Sequence, residues 1–196
     1  MKGKFITFEG IDGSGKTTIA NLLYERLKKE HEVVLTSEPT KSWLGKAVRK
    51  AISENRDAVT IALLFVADRN EHVKEIKKWL REGKIIICDR YIDSTFAYQK
   101  EHLKGIIEKP VQWLKNLHTN FLIPHLTFLF KIDVEKALKR KNKRTIYESK
   151  EFLERVQKNY IEMAEEKRFV IINADRKKED ILEECLSIIK KRCIFY

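Results

Sequence analysis

The segment GIDGSGKT, residues 10–17, is the part of this chain whose residue types and spacing indicate chemistry most directly. It matches in full the pattern G-x-x-x-x-G-K-[ST], a glycine-rich turn between a strand and a helix. Glycines permit backbone conformations in which successive N–H groups converge on phosphate oxygens, and the following helix adds its positive N-terminus. Lys16 can reach the terminal phosphates of a nucleotide, and the Thr17 hydroxyl can bind Mg²⁺. The pattern therefore predicts a nucleoside triphosphate site.

A glycine-rich turn without a ligand is the alternative interpretation of this segment. Three of the chain's seven glycines fall within positions 10–15, which a plain turn would not need. The flanking pattern, a strand before and a helix after, also favours the phosphate loop. The residues assigned to the nucleotide phosphates are Gly10, Ile11, Asp12, Gly13, Ser14, Gly15, Lys16, Thr17 and Thr18.

Five short β-rich runs, separated by stretches of helical periodicity, must position this loop. The predicted strands cover residues 5–8, 33–35, 84–88, 126–131 and 169–172. The predicted helices begin at residue 16 and cover 61–83, 111–122, 134–141, 152–167 and 178–191. This alternation predicts an α/β fold with a parallel sheet flanked by helices on both faces, in which ligands bind at the carboxyl ends of the strands. No repeat or linker divides the chain, so we expect a single domain over residues 1–196.

The charge balance, 40 Lys and Arg against 29 Asp and Glu, gives a net charge of +11. Residues 136–144 hold six of these cations and no acidic residue. A basic excess can indicate nucleic acid, an acidic membrane or a polyphosphate substrate, and a basic run can also be a solvated helix face. No apolar run is long enough to span a bilayer, and the three cysteines form no CxxC pair. We therefore expect a soluble protein of the reducing cytoplasm, without a membrane partner.

Four blocks of the sequence together resemble the thymidylate kinase family over essentially the whole chain. They are FEGIDGSGKTT at 8–18, TSEP at 36–39, LFVADR at 64–69 and DRYIDSTFAYQ at 89–99. The resemblance implies a P-loop NTPase fold with a five-stranded parallel sheet and a short basic lid, placed here at about residues 139–150. It also implies transfer of the ATP γ-phosphoryl group to dTMP to give dTDP, and a homodimer.

The same resemblance assigns an acceptor site. Phe65 would stack on the thymine ring, and Arg69, four residues later on the same helix face, would read a base carbonyl. Arg90 and Arg49 would contact the acceptor phosphate. Helical periodicity alone leaves Phe65 open as a core residue, and Asp89–Arg90 open as a surface ion pair. The residues assigned to dTMP are Asp12, Glu38, Arg49, Phe65, Arg69, Arg90, Ser94, Thr95, Tyr98, Gln99 and Tyr147.

Phosphoryl transfer between two anions requires charge neutralisation and alignment. Some family members carry an arginine in the phosphate loop just after its acidic residue, but here that position is Gly13. The lid would then supply the charge, with Arg144 as the first candidate and Arg140 as the second. The residues assigned to catalysis are Asp12, Lys16, Arg90, Arg140 and Arg144. Those assigned to Mg²⁺ are Thr17 and Asp89, and those assigned to the adenine of ATP are Asn173 and Asp175.

Three other functions share features with this sequence. A kinase for another monophosphate or for a deoxynucleoside shares the phosphate loop, although a nucleoside acceptor would not need Arg49 and Arg90. A regulatory GTPase would need an Asn-Lys-x-Asp motif, which the chain lacks. A nucleic-acid-binding module would interleave aromatic residues with its cations, and residues 136–144 contain none. We therefore expect no nucleic acid partner. The five histidines show no spacing typical of a zinc site or a triad, so we expect them to be structural.

Overall fold

The β-rich runs form one parallel sheet in the computed structural model, which describes residues 3–118, 121–140 and 149–194. The strands are β1 (Lys4–Glu9), β2 (Val33–Ser37), β3 (Ile85–Asp89), β4 (Leu126–Lys131) and β5 (Phe169–Asn173). Their order across the sheet is β2-β3-β1-β4-β5, and each neighbouring pair is parallel. The predicted five-stranded parallel sheet is confirmed.

Eight α-helices lie between or after the strands within the described residues. They are α1 (Lys16–Leu27), α2 (Trp43–Ser53), α3 (Ala58–Arg81), α4 (Ile92–His102), α5 (Pro110–Leu117), α6 (Val134–Lys139), α7 (Lys150–Met163) and α8 (Lys178–Ile189). A short π-helical segment, Lys190–Ile194, extends α8. The predictions missed α2 and α4 as helices and extended α5 to residue 122. The end predicted for α6 at residue 141 and the core of the lid lie outside the described residues.

Alternation along β1 sends its side chains to two cores, one on each face of the sheet. Ile6 and Phe8 pack with Leu23 of α1 and Ile189 of α8. Phe5 points to the other face, where Val73 and Ile76 of α3 belong to the second cluster. Helices therefore cover both faces, as predicted, and the central strands are buried on both sides. Among the described residues, no helix combines the length and the hydropathy needed to cross a membrane.

The parallel register brings the carboxyl ends of three strands together at one edge. Phe8 of β1 lies opposite Asp89 of β3, and Ser37 of β2 lies opposite Asp89 on its other side. The backbone N–H of Glu38 donates to the Asp89 carbonyl at 3.1 Å, and that of Arg90 donates to the Phe8 carbonyl at 2.9 Å. The sheet thereby gathers at one edge the polar residues that follow β1, β2 and β3.

Candidate active site

The phosphate loop connects β1 to α1 through three glycines with positive φ, namely Gly10 (139°), Gly13 (80°) and Gly15 (88°). Lys16, the first residue of α1, is only 5% exposed. Its ammonium donates to the Ile11 carbonyl at 3.3 Å and lies 3.6 Å from the Asp12 carboxylate. Burial, together with the charge of Arg90, lowers the pKa of Lys16 to about 8. A phosphate group at the loop would supply the negative charge that favours the ammonium form.

Gly13 has a second structural requirement besides its backbone angle. A Cβ atom at this position would lie 2.3 Å from the carbonyl oxygen of Ala137 in α6. No side chain fits in that space, so an arginine at position 13 is incompatible with this arrangement of loop and helix. Any cation other than Lys16 that neutralises the transferring group must come from another segment.

Thr17 and Asp89 bring two oxygen ligands together beside the loop. The Thr17 hydroxyl donates to Asp89 Oδ2 at 2.5 Å, and Asp89 Oδ1 is buried with no hydrogen-bond partner among the described residues. Mg²⁺ in nucleotide sites is held by one or two protein oxygens together with phosphates and water. The described residues contain no group of three or more His, Cys, Asp or Glu that could hold a metal by itself. The donor set therefore fits a magnesium ion that is bound jointly with a nucleotide.

A cavity of about 330 Å³ opens beside the loop, at the same edge of the sheet. Nine of the eleven residues predicted for the acceptor line it: Asp12, Glu38, Phe65, Arg69, Arg90, Ser94, Thr95, Tyr98 and Gln99. Phe65 is half-buried and lines this cleft. It belongs to none of the hydrophobic core clusters, so the alternative interpretation of Phe65 as a core residue is wrong. The side-chain oxygen of Gln99 is buried without a hydrogen-bond partner in the described structure. A bound molecule could satisfy this atom.

One wall of the cleft is a buried ion pair between Arg69 of α3 and Glu38, which follows β2. The two side chains are each 2% exposed, and Arg69 donates from Nε and Nη2 to Glu38 Oε2 at 2.8 and 2.6 Å. Arg69 Nη2 also donates to Thr95 Oγ1 at 2.8 Å. The other carboxylate oxygen, Oε1, lies 2.9 Å from His72 Nδ1. Every member of this wall is therefore held by at least one charged or polar partner.

His118 completes the surroundings of Arg69. Its Nε2 lies 2.7 Å from Arg69 Nη1, and its Nδ1 lies 2.7 Å from the Leu114 carbonyl. A guanidinium can only donate, so Nε2 is the acceptor and Nδ1 carries the hydrogen that is donated to Leu114. Burial and the neighbouring charge of Arg69 lower the pKa of His118 to about 4, which keeps the ring neutral.

Arg90 lies where the phosphate loop meets the cleft, and its backbone has a positive φ of 67°. Its Nη2 is hydrogen-bonded to the Asp12 carboxylate, and its Nη1 donates to Ser94 Oγ at 3.0 Å and to Tyr160 Oη at 3.3 Å. The guanidinium carbon lies 5.2 Å from the centre of the Tyr98 ring. Its partner is Asp12 rather than Asp89, so the alternative of a surface ion pair with Asp89 is wrong.

Similarity to known proteins shows the family of this chain. The family model described as thymidylate kinase matches residues 8–185. The chain belongs to the thymidylate kinase family. A probable thymidylate kinase of Methanococcoides burtonii is 43% identical over 97% of this chain and 100% of its own length. One of Methanocaldococcus jannaschii is 41% identical over 95% of each chain, and a thymidylate kinase of Halothermothrix orenii is 38% identical over 97% and 98%.

The remaining residues predicted from the thymidylate kinase family do not line the cleft or lie outside the described chain. Arg49 of α2 lies beside the cleft, because its guanidinium donates to the carbonyl of Pro39, a lining residue, and to that of Thr40. Arg140 is exposed and caps the end of α6. Arg144 and Tyr147 lie outside the described residues.

The pair predicted for adenine lies at the end of β5, where Asn173 is the last residue of the strand and Asp175 lies in the turn that follows. The backbone N–H of Asp175 donates to Asn173 Oδ1 at 3.0 Å, and the Asp175 carboxylate pairs with Lys136 of α6. Adenine recognition by this turn stays a prediction.

Several polar residues of the site were not assigned from the sequence. Asp68, 1% exposed, accepts from the backbone N–H of Thr40 at 2.7 Å and from Ser42 Oγ at 3.1 Å, which fixes the loop after β2. Glu9 and Tyr160 support Arg90, and His118 supports Arg69. Asp68 and Glu9 fall inside the family blocks. An acidic residue among apolar neighbours in such a block indicates a buried carboxylate, so both could have been predicted as site residues. No local spacing in the sequence marks Tyr160 or His118.

Proposed function

We propose that the enzyme transfers the γ-phosphoryl group of ATP to dTMP, giving ADP and dTDP. A phosphate oxygen of dTMP would attack the γ-phosphorus while the bond to the ADP oxygen breaks. The single observation that carries the proposal is the position of the Arg90–Asp12 pair, at the junction of a glycine-rich phosphate loop and a cleft lined by charged and aromatic side chains. Two anionic substrates can meet there, with Lys16 on the donor side and Arg90 on the acceptor side.

On the donor side, the loop backbone and Lys16 would hold the β- and γ-phosphates. Thr17 and Asp89 would hold Mg²⁺ together with the nucleotide, and the bound ion would neutralise charge on the phosphate oxygens. Arg140 and Arg144 are proposed as the cations of the lid, which we place at residues 139–150. Asn173 and Asp175 are proposed for adenine.

On the acceptor side, Arg90 would exchange its contact with Asp12 for the phosphate of dTMP, because a dianion is the stronger partner for a guanidinium fork. The base would lie against Phe65. The unsatisfied Gln99 Oε1 can accept a hydrogen bond from the N3–H of thymine. Arg69 uses four of its five N–H groups in the network described above, which leaves one for a base carbonyl.

The other acceptor assignments are proposed on the same basis. Glu38 would set the orientation of Arg69, and Ser94, Thr95 and Tyr98 would line the sugar and phosphate. Arg49 and Tyr147 are proposed as further contacts to the bound nucleotide. We also propose that the enzyme acts as a homodimer in the cytoplasm.

A panel of acceptors tests this function. ATP-dependent diphosphate formation would be measured with Mg²⁺ for dTMP, dUMP, UMP, dCMP, AMP and GMP, with EDTA as the metal control. We expect kcat/KM for dTMP to exceed that for every other acceptor and EDTA to abolish turnover. Activity centred on another monophosphate would contradict the thymine site while leaving the phosphate loop assigned. Loss of the EDTA effect would contradict the magnesium assignment.

A further inference from the structure

We infer that Tyr160 of α7 is a positioning residue for Arg90 and that its hydroxyl sets the affinity for the acceptor phosphate. The inference rests on the proposed function, in which Arg90 binds that phosphate. Tyr160 is fully buried. Its hydroxyl oxygen lies 2.8 Å from Ser94 Oγ, 3.1 Å from Glu9 Oε2 and 3.3 Å from Arg90 Nη1. The hydroxyl of Tyr160 therefore contacts the guanidinium and two of the polar groups beside it, Ser94 and Glu9.

Glu9 orients the two hydroxyls toward Arg90. Its carboxylate accepts from the backbone N–H of Tyr91 at 2.7 Å, from Ser94 Oγ at 2.6 Å and from the hydroxyl of Tyr160. Burial raises the pKa of Glu9 to about 8, and the hydrogens shared among Glu9 Oε2, Ser94 Oγ and Tyr160 Oη can be arranged in more than one way. In each arrangement, a lone pair on Ser94 Oγ and one on Tyr160 Oη remain for Arg90, which can only donate.

The backbone of α7 holds this hydroxyl in place relative to the acceptor cleft. Asn159, the neighbour of Tyr160, donates to the Ala97 carbonyl of α4 at 3.0 Å and to the Glu101 carboxylate at 2.8 Å. The Tyr160 ring also packs edge-on against Tyr98, with 6.3 Å between ring centres. The contacts of Asn159 and of the Tyr160 ring therefore fix the position of the hydroxyl, and they do not depend on the hydroxyl itself.

This arrangement divides the guanidinium into two halves with different tasks. Nη1 is anchored by Ser94 and Tyr160, whereas Nη2 faces Asp12, the partner that the acceptor phosphate would replace. An anchored Nη1 keeps the fork oriented while Nη2 exchanges partners, so less conformational freedom is lost when dTMP binds. Without the Tyr160 hydroxyl, Nη1 would keep only Ser94, and Ser94 would lose a neighbour that orients it.

The test is the Tyr160→Phe variant, which keeps the ring and its packing and removes the hydroxyl. We expect kcat/KM for dTMP to fall about 10-fold or more, as for a lost hydrogen bond to a charged group. Competitive inhibition by thymidine, which lacks the phosphate, should stay within about two-fold of the wild type. A merely structural role would weaken both ligands alike. Tyr24→Phe, a half-buried tyrosine of α1, is the matched control and should change neither value.

The outcomes separate this inference from the function on which it rests. An active wild type whose Tyr160→Phe variant keeps an unchanged kcat/KM for dTMP would overturn the inference alone. A variant in which inhibition by thymidine weakens as much as kcat/KM for dTMP falls would also overturn it, because the effect would then not depend on the phosphate. A wild type that does not phosphorylate dTMP would overturn the proposed function, and the positioning role with it. Thermal unfolding of both variants checks that each is folded.

Discussion

The phosphate loop and the acceptor cleft lie at the same edge of one sheet but are built in different ways. The loop consists of consecutive residues, 10–17, and its shape comes from glycine backbone angles. The cleft is assembled from the ends of β1, β2 and β3 and from several helices, and its shape comes from buried side chains. The shape of the phosphate loop therefore depends on backbone geometry, whereas the shape of the cleft depends on a tertiary network of side chains.

The two regions also differ in how their cations are paired. Lys16 has a single carbonyl as its hydrogen-bond acceptor and a carboxylate at 3.6 Å. Arg69 donates four hydrogen bonds, to Glu38, Thr95 and His118. Loss of the lysine should therefore affect chemistry and spare the fold, while loss of the arginine should affect the fold as well.

The largest effect is expected for Arg69→Met, which leaves the Glu38 carboxylate buried without its main partner. The free energy of unfolding should fall by about 3–5 kcal/mol, the usual effect of breaking a buried ion pair from one side. Denaturant titration measures this loss. Arg56→Met, at an exposed ion pair with Glu54, is the control and should change stability by less than about 0.5 kcal/mol. If the free energy of unfolding of Arg69→Met falls as little as that of Arg56→Met, the network around Arg69 does not stabilise the fold.

Lys16→Ala should show the opposite pattern. We expect kcat to fall by about 10²- to 10³-fold, because a cation directed at the transferring phosphates is removed from a water-poor site. The free energy of unfolding should stay the same or rise slightly, since a desolvated ammonium is lost. Steady-state kinetics and denaturant titration on the same sample measure both quantities. Lys28→Ala, at an exposed pair with Glu25, should leave kcat unchanged. A strong loss of stability in Lys16→Ala would remove the distinction between the two regions.

The His118→Gln variant tests the network around Arg69 through the pH dependence of the free energy of unfolding. In the folded protein the pKa of His118 is lowered from 6.5 to about 4, so the unfolded chain binds more protons between these values. The stabilisation is complete above pH 6.5 and is lost as the pH falls toward 4. Glutamine can accept from Arg69 and cannot be protonated, so the variant should lose roughly 1–3 kcal/mol less than the wild type over this range. Urea titrations at both ends of the range test this, and parallel losses would contradict it.

The smallest effect concerns the protonation of Lys16. Its pKa of about 8 in the free protein should rise when phosphates surround it, so ATP binding at about pH 9 should take up close to one proton. Calorimetry in buffers of different ionisation enthalpy counts that proton. Lys16→Ala should take up none, and a wild type that takes up none would contradict the desolvated lysine.

The sheet and the phosphate loop could be predicted because their signals are local. Alternating and continuous apolar runs marked all five strands, and residues 10–17 match a fixed spacing. The helix α4 was missed because polar residues such as Asp93, Thr95 and Gln99 occupy its buried face and hide the helical period. The helix α2 could have been predicted, because Leu44, Val48 and Ala51 follow that period. The cleft residues were predicted from the motif blocks. The roles of His118 and Tyr160 depend on contacts with Arg69 and Arg90, which lie 49 and 70 positions earlier in the chain, and no local pattern indicates such contacts.

Because Gly13 lies so close to Ala137, the residue at position 13 limits how closely the phosphate loop and α6 can approach each other. At 2.3 Å from a carbonyl oxygen, no Cβ can be added unless α6 moves outward. A chain of this fold with a larger residue at the corresponding position must therefore hold that helix farther from the loop. The spacing of the backbone therefore excludes a cationic side chain at position 13 of the loop.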